Sequence, residues 1–322
     1  MYLLCKTFIA FLCLFFSIPS VAGAPQEITA FGSNPGQLRM WIYIPDGLRD
    51  PAPLVVVLHG CAQTAAPFAE ASGWIQYAEQ QGVALLLPEQ QAANNPGLCF
   101  NWFEPDDTQR DKGEALSIRQ MIDRVQADYA IDRKIYGVGL SAGGAMMAAL
   151  LASYPDLFAG GAIIAGIPYG CAKDLKSGLR CMKTGRDLKP KQWAQLVQRA
   201  HRKQASAVRC KSLVSIWQGD ADPIVNPNNA QELLEQWTAV AGIDAHPDKQ
   251  EIQQGYQRQV YQDAQGENWV ETYTLSGVGH GAPIALPDDA GKSCGYPTDF
   301  VLPVGICAPD AIGRFFGLSR TP

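Results

Sequence analysis

A serine lies between two glycines in the segment Gly139-Leu140-Ser141-Ala142-Gly143, which has the pattern G-x-S-x-G. Where this pattern joins a strand to a helix, the glycines permit a tight turn that pushes the serine hydroxyl outward. The amides at the start of the following helix can then stabilise a developing negative charge. The pattern therefore predicts Ser141 as a nucleophile. The alternative is a small-residue turn that only packs a helix against a sheet.

A serine hydroxyl needs a base to take its proton, and the base needs an acid to hold its tautomer. The chain has four histidines, His59, His201, His246 and His280. His280 is predicted as the base because it follows the last predicted strand, in a glycine-rich loop that can bring an imidazole over the serine. The alternative is that His280 is a histidine of a surface loop without a catalytic role. His59 is predicted instead to be a buried ring bonded to backbone, and the other two lie in charged or polar segments.

Two aspartates follow the predicted strand Leu213–Trp217, and either could be the acid. Asp222 is favoured because it lies further beyond the end of the strand, whereas Asp220 can brace the turn through nearby backbone. A nucleophile, an acid and a base are expected in this order along the chain when a G-x-S-x-G turn carries the serine.

Backbone amides near the serine are candidates to bind an oxyanion. Gly60 follows a predicted strand and lets the backbone approach closely, so the amides of Cys61 and Ala142 are predicted to donate together. In the aromatic segment Cys99–Phe103, Trp102 is either a core residue or a contact for the acyl or alcohol group of a substrate. The sequence leaves both possibilities open.

Strands and helices alternate around these residues. Apolar runs predict strands at Leu38–Ile44, Leu54–Leu58, Val83–Leu87, Lys134–Leu140, Gly161–Ala165, Leu213–Trp217, Tyr256–Tyr261 and Trp269–Leu275. Helices are predicted near Phe68–Glu79, behind a capping-box pattern at Asp111–Glu114, and at Ala142–Ser153, Ala230–Val240 and Asp310–Phe316. This alternation predicts the α/β class, with a mostly parallel central sheet and helices on both of its faces.

Residues 171–210 differ from the rest of the chain because they are rich in Lys, Arg and Gln. We interpret them as an insertion, either a partly helical cap over a cleft or a solvated excursion with no role. Residues 24–322 are predicted to form a single domain that includes this insertion.

The first 23 residues are predicted to be a signal peptide. Lys6 precedes the apolar run Phe8–Phe16, and the small residues Ser20 and Ala22 suit cleavage within 22–24. The alternative is a retained membrane anchor, but the run breaks at Pro19, short of the roughly 20 apolar residues that a spanning helix needs. We therefore expect a secreted protein, extracellular or periplasmic, without stable membrane insertion.

Export changes the expected role of the cysteines. Of the nine cysteines, Cys5 and Cys13 lie in the predicted signal peptide. An oxidising compartment favours structural bridges over metal ligands for the rest, and it disfavours a thiol nucleophile at Cys61. The pairs Cys61–Cys99 and Cys294–Cys307 are two possibilities, but the sequence leaves the connectivity open. Seven cysteines remain after the signal peptide, and this odd number leaves at least one thiol that is free or paired with another chain. No C-x-x-C pair occurs, and no metal or cofactor is expected.

The overall composition limits the partners of the chain. Its 322 residues are 47% hydrophobic and 18% charged, as in an ordinary globular protein, and its formal net charge is −5. Binding to phosphate backbones needs a basic face, so no nucleic acid partner is expected. The sequence does not indicate an oligomeric state.

Together these residues resemble an esterase family that includes poly(3-hydroxybutyrate) depolymerases, and the feruloyl and acetylxylan esterases of carbohydrate esterase family 1 look similar. The resemblance runs from about Leu54 to His280, on the segments His59–Gln63, Asn101–Phe103, Gly113-Glu114, Gly139–Gly144, Tyr154-Pro155, Pro168–Gly170 and Gln218–Val225. It implies an α/β-hydrolase fold. It also implies Ser141 as nucleophile, Asp222 as acid, His280 as base, Cys61 as oxyanion donor and Trp102 as substrate contact.

Two features depart from the family. Family members often carry a tryptophan shortly after the histidine, where this chain has Gly281-Ala282-Pro283, so the alcohol side of the pocket is expected to differ. Secreted depolymerases of solid polymer commonly add a linker and a binding domain, and this chain ends at Pro322 directly after its last predicted helix. We therefore expect soluble esters or short oligomers as substrates rather than crystalline polyester.

The resemblance implies a secreted serine esterase that acts through an acyl-enzyme on hydroxyalkanoate oligomers. Feruloyl or acetylxylan-type esters of plant polysaccharides fit as well. A binding protein without catalytic activity on the same scaffold is a different class, disfavoured because ligand binding alone needs no Ser, Asp and His together. A peptidase or thioesterase would share the same triad.

Overall fold

The computed structural model describes residues 23–201, 212–287 and 294–320. The predicted signal peptide up to residue 22 and the end of the predicted insertion, with Cys210, lie outside the described residues. The strands within these ranges are β1 (Gln26–Ile28), β2 (Arg39–Tyr43), β3 (Ala52–Leu58), β4 (Ala84–Glu89), β5 (Ile131–Leu140), β6 (Phe158–Ile164), β7 (Leu213–Gly219), β8 (Lys249–Gln253), β9 (Tyr256–Gln262), β10 (Asn268–Leu275), β11 (Ala282–Ile284) and β12 (Val301–Pro303). The helices are α1 (Ala65–Ala71), α2 (Trp74–Gln81), α3 (Pro105–Thr108), α4 (Gly113–Asp128), α5 (Ala142–Ser153), α6 (Leu175–Thr184), α7 (Pro190–Ala200), α8 (Asn228–Ala241) and α9 (Ala308–Phe315).

Ten of the described strands form one sheet in the order β1-β2-β4-β3-β5-β6-β7-β10-β9-β8. The six strands from β4 to β10 in this order pair in parallel. Antiparallel strands flank them, β2 and β1 on one side and β9 and β8 on the other. The predicted α/β class with a mostly parallel sheet is therefore confirmed.

The continuous apolar run of β3 is explained by helices on both faces of the sheet. All seven residues of β3 are buried. Leu54, Val56 and Leu58 pack into one core with residues of α4, α5 and α8. Val55 and Val57 pack into a second core with residues of α1, α2 and α9. Because successive side chains of a strand point to opposite faces, a strand between two helical layers must be apolar at every position.

The insertion forms two helices, α6 and α7, within its described residues. A disulfide joins Cys171 to Cys181, and Trp193 of α7 is fully buried. These side chains share an apolar cluster with Ala145 in the first turns of α5 and Val225 after β7. The insertion therefore packs onto the edge of the sheet that carries Ser141, and the alternative of a merely solvated excursion is wrong.

Two local predictions are wrong. The stretch Phe68–Glu79 is two helices rather than one, because the chain turns at Gly73, whose φ of +83° breaks the helical path between α1 and α2. The capping box at Asp111 does not form, since Lys112 is the N-cap of α4 and makes no side-chain cap bond. Glu114 points inward instead and is fully buried.

Candidate active site

Ser141 lies at the sharp turn between β5 and α5. Its φ of 57° and ψ of −117° are strained for a residue with a side chain. Its amide donates to the carbonyl of Ile164 at 2.8 Å, which ties the turn to the end of β6. A Cβ on Gly139 would collide with the Gly143 carbonyl, and one on Gly143 with the carbonyl of Leu58. The flanking glycines are therefore required by the close packing of this turn against the end of β3.

Asp222 and His280 form a hydrogen-bonded pair beside this turn. The Nδ1 atom of His280 lies 2.7 Å from Oδ2 of Asp222, and the side chains are 6% and 0% exposed. Oδ1 of Asp222 also accepts from the amides of Ile224 at 2.8 Å and Val225 at 2.9 Å. Burial opposes ionisation, but the bond and charge of His280 and the two amides outweigh it and hold the pKa of Asp222 below its ordinary value.

The other aspartate of this loop has a different partner. Oδ1 of Asp220 accepts from the amide of Gly277 at 2.6 Å, so Asp220 braces the turn that leads to His280. The loop bearing His280 packs directly on the end of β7, because a Cβ on Gly219 would collide with the carbonyl of Val278. The geometry therefore pairs the histidine with Asp222 rather than with Asp220.

Strand order places the serine and this pair at the same edge of the sheet. Ser141 follows β5, Asp222 follows β7 and His280 follows β10, all at carboxyl ends of parallel strands. Among the described residues the Ser141 hydroxyl makes no hydrogen bond to the His280 ring. The structure thus joins Asp222 to His280 directly and brings Ser141 to the same edge without a direct bond. Catalytic contacts often tighten only when substrate binds.

The predicted oxyanion donors flank the serine. Ala142 is the first residue of α5, so its amide precedes the first intrahelical bond and is free to donate. Cys61 follows β3 and is bonded to Cys99, which removes its thiol as a nucleophile. A Cβ on Gly60 would lie 3.5 Å from the carbonyl of Leu140, so Gly60 lies beside the residue before Ser141.

Trp102 lies near this edge and is half-buried. Its ring packs edge-on against Phe103, with centroids 5.5 Å apart, and lies close to Gly178 of α6. It also packs against the apolar cluster of the insertion and lines a cavity of about 570 Å³ with Tyr169 and Leu196. Trp102 is therefore part of a small apolar cluster and is accessible from a cavity whose lining does not include Ser141, Asp222 or His280.

The remaining histidines differ from His280. His59 is fully buried and bonded to backbone, as predicted. Burial lowers its pKa, so the ring is neutral at neutral pH. The side chain of His246 is 95% exposed in a turn. His201 ends the described part of the insertion.

Sequence reasoning missed the role of one buried polar residue behind the site, Glu114. Glu114 accepts from the amide of Asn101 at 2.9 Å and from Nε2 of Gln90 at 2.6 Å, so it holds the segment before Trp102. Burial and the charge of Asp107 raise the pKa of Glu114 to about 8. The resemblance marked Gly113-Glu114 as a matching pair, but the inward direction of the carboxyl could not be predicted from the sequence.

The structure holds three disulfides among its described cysteines, Cys61–Cys99, Cys171–Cys181 and Cys294–Cys307. Both pairs considered from the sequence are therefore confirmed. In the described ranges no group of three His, Cys, Asp or Glu side chains is placed to hold a metal ion. No helix in the described part of the chain is long and apolar enough to cross a bilayer.

The sheet order, the helices on both faces and the strand–serine–helix turn define an α/β-hydrolase. The chain belongs to the Esterase PHB depolymerase family, whose model matches residues 38–257. It is 43% identical over 296 residues to poly(3-hydroxyalkanoate) depolymerase C of Paucimonas lemoignei, covering 92% of this chain and 70% of that protein. It is 28% identical over 290 residues to feruloyl esterase B of Thermothelomyces thermophilus, covering 88% of this chain and 96% of that protein.

A solved acetyl xylan esterase from Aspergillus awamori has the same fold, with a TM-score of 0.77, 24% identity, and coverage of 92% of this chain and 100% of that one. The predicted fold, family and enzyme class are confirmed. The chain is a carboxylic-ester hydrolase.

Proposed function

We propose that this enzyme hydrolyses hydroxyalkanoate esters through an acyl-enzyme formed on Ser141. The observation that carries the assignment is the 2.7 Å bond between His280 Nδ1 and Asp222 Oδ2 at the edge where the strained Ser141 lies. A histidine that donates from Nδ1 to a buried carboxylate has Nε2 free to accept a proton.

Each proposed residue has one chemical role. Ser141 Oγ attacks the ester carbonyl carbon while its proton passes to Nε2 of His280, and Asp222 stabilises the resulting imidazolium. The amides of Cys61 and Ala142 donate to the oxyanion of the tetrahedral intermediate. The bond to the alcohol oxygen then breaks as the alcohol takes the proton from His280. A water molecule repeats the sequence on the acyl-enzyme and releases the acid.

The substrate class rests on the relatives. The 43% identical protein is a poly(3-hydroxyalkanoate) depolymerase, and the similarity covers most of this chain. We assign Trp102 to the substrate cleft, because its ring packs against the apolar cluster that contains Ala145, one turn beyond the serine. Soluble hydroxybutyrate oligomers are the proposed substrates, with the solid polymer as a comparison in the assay.

A second candidate is a feruloyl or acetylxylan-type esterase. Its support is the similarity to a feruloyl esterase that covers 96% of that protein. A binding protein without catalysis is disfavoured by the strain kept at Ser141 and by the buried Asp222–His280 pair, which binding alone does not need.

The test compares purified wild-type enzyme, Ser141→Ala and the control Ser33→Ala, in which an exposed serine is replaced. Methyl-capped hydroxybutyrate trimers, methyl ferulate, acetylated xylo-oligosaccharides and solid polyhydroxybutyrate are ranked by kcat/KM or release rate. We expect trimers to rank first and Ser141→Ala to lose roughly 10⁴–10⁶-fold in kcat. Turnover of trimers by Ser141→Ala at the wild-type rate refutes the nucleophile. A higher kcat/KM for methyl ferulate or acetylated xylo-oligosaccharide favours the second candidate.

We also propose that the chain is exported after removal of residues 1–23, as a single catalytic domain from residue 24. The three disulfides support an oxidising compartment, where such bonds persist. Expression of the full chain in a Gram-negative host, followed by fractionation and N-terminal sequencing, tests this. A mature N-terminus within 22–25 in the periplasm or medium is expected, and retention of Met1 in the membrane fraction contradicts it.

A further inference from the structure

His59 is a buried ring that the proposed mechanism does not use, and both of its nitrogens are occupied. Its Nε2 lies 3.1 Å from the backbone nitrogen of Gln90, and its Nδ1 lies 2.7 Å from the carbonyl oxygen of Gly60. A backbone amide can only donate, so Nε2 is the acceptor and the proton is on Nδ1. The amide of Gln90 therefore fixes one tautomer, and that tautomer donates to the Gly60 carbonyl.

The carbonyl of Gly60 and the amide of Cys61 belong to one peptide unit. This unit is trans, since the one cis bond of the described chain joins Asp50 to Pro51. In a planar trans peptide the C=O and N–H point in opposite directions, so a bond that fixes the carbonyl also fixes the direction of the amide. A hydrogen bond to the carbonyl further polarises the N–H and strengthens it as a donor.

The ring itself is held by its surroundings. It packs against Phe100 with centroids 4.9 Å apart and has no exposed surface. The side chain of Gln90 donates to Glu114 at 2.6 Å and to the carbonyl of Cys99 at 2.9 Å. The Cys61–Cys99 disulfide closes this arrangement from the other side. The peptide before Cys61 is therefore fixed through hydrogen bonds, a ring contact and a covalent bond.

We propose that His59 is a positioning residue that orients the Gly60–Cys61 peptide, so that the Cys61 amide points at the oxyanion. The inference rests on the proposed function, in which that amide is one of two oxyanion donors. His59 acts only on the transition state through this peptide, so its loss should lower kcat and leave KM nearly unchanged.

Two substitutions separate the two bonds of the ring. The amide nitrogen of asparagine can take the place of Nδ1, so His59→Asn keeps the donor to Gly60 and loses the acceptor for Gln90. Glutamine reaches the position of Nε2, so His59→Gln keeps the acceptor and loses the donor. His246→Gln, the same change at the exposed histidine of a turn, is the matched control.

The readout is the value of kcat/KM for a hydroxybutyrate ester divided by the value for its thiono ester. The concentration of active sites in each variant is measured by titration with a fluorophosphonate. Sulfur accepts hydrogen bonds weakly, so this ratio reports the strength of the oxyanion donors. For His59→Gln we expect kcat to fall at least about tenfold and the ratio to fall at least about fivefold, with His59→Asn within about threefold of wild type. A wild-type ratio in His59→Gln, or equal losses in both variants, overturns the proposal.

A measurement on the wild-type enzyme does not depend on the folding of the variants. The ¹⁵N spectrum of the histidine rings at neutral pH should show His59 as a neutral ring with its proton on Nδ1. His280→Asn removes the other ring expected in that form and so assigns the signal. A His59 signal of the opposite tautomer overturns the proposal. Esterase activity in Ser141→Ala would instead overturn the proposed function, independently of either result.

Discussion

Replacing Asp222 by asparagine should reverse the tautomer of His280, and the structure shows why. Oδ1 of Asp222 accepts from the backbone amides of Ile224 and Val225, which cannot reverse direction. Oδ2 accepts from Nε2 of Gln218 at 3.0 Å as well as from His280, and the Gln218 amide can flip. An asparagine at this position should therefore keep its oxygen at the two backbone amides. Its NH₂ group then faces His280 Nδ1, where Oδ2 now accepts at 2.7 Å. Two donors cannot face each other, so Nδ1 must give up its proton. The neutral ring then carries the proton on Nε2 and cannot accept the proton of Ser141.

The size of this effect follows from the loss of the base. A triad whose histidine is held in the wrong tautomer loses roughly 10⁴-fold in kcat. That corresponds to about 5.5 kcal/mol at about 1.36 kcal/mol for each factor of ten. Substrate binding does not use this bond, so KM should change by less than about threefold.

Stopped-flow or steady-state hydrolysis of a hydroxybutyrate trimer by Asp222→Asn measures the loss. The control is Asp220→Asn, because its amide oxygen can still accept from Gly277. We expect the control to stay within about tenfold of wild type. An Asp222→Asn enzyme as active as the control would refute the assignment of the acid and the tautomer argument together.

Three further predictions concern stability and the cleft. Burial, followed by the charge of Asp107, raises the pKa of Glu114 from its ordinary 4.5 to about 8. The contribution of Glu114 to stability is therefore full below pH 4.5 and is lost as the pH rises through 8. The midpoint temperature of thermal unfolding should decline across this pH range, and it should decline less in Glu114→Gln. Replacing Cys171 and Cys181 together by serine should lower the free energy of unfolding in urea by roughly 2–3 kcal/mol, and an unchanged value contradicts a constraining disulfide. Trp102→Ala should raise KM for trimers about tenfold while hydrolysis of p-nitrophenyl acetate changes by less than about twofold, and an equal effect on both esters contradicts a cleft contact.

The parts of the fold that periodicity predicted are those in which every residue faces a similar environment. The run Leu54–Leu58 is apolar at each position because β3 lies between two helical layers. Helix α5 is buried along its whole length, and its residues are accordingly small or apolar at nearly every position, which made the helix recognisable in the sequence. The helix break at Gly73 was missed because polar and apolar residues continue the helical spacing on either side of it.

The site was predictable to the extent that chain order and residue type define it. Ser141 and His280 followed from a motif and from elimination among four histidines. The preference for Asp222 over Asp220 depends on which aspartate braces the turn at Gly277, which only the packed loops reveal. The hydrogen bonds of His59 and Glu114 join segments that are distant in the sequence, so no local pattern predicts them.

The central claim is that Ser141 is activated by His280, and labelling with a fluorophosphonate tests it most directly. Peptide mass spectrometry of the labelled wild-type enzyme should locate a single adduct on Ser141. The labelling rate should fall at least about 10³-fold in His280→Ala and show no adduct in Ser141→Ala. An adduct on another residue, or labelling of His280→Ala at the wild-type rate, would contradict the claim.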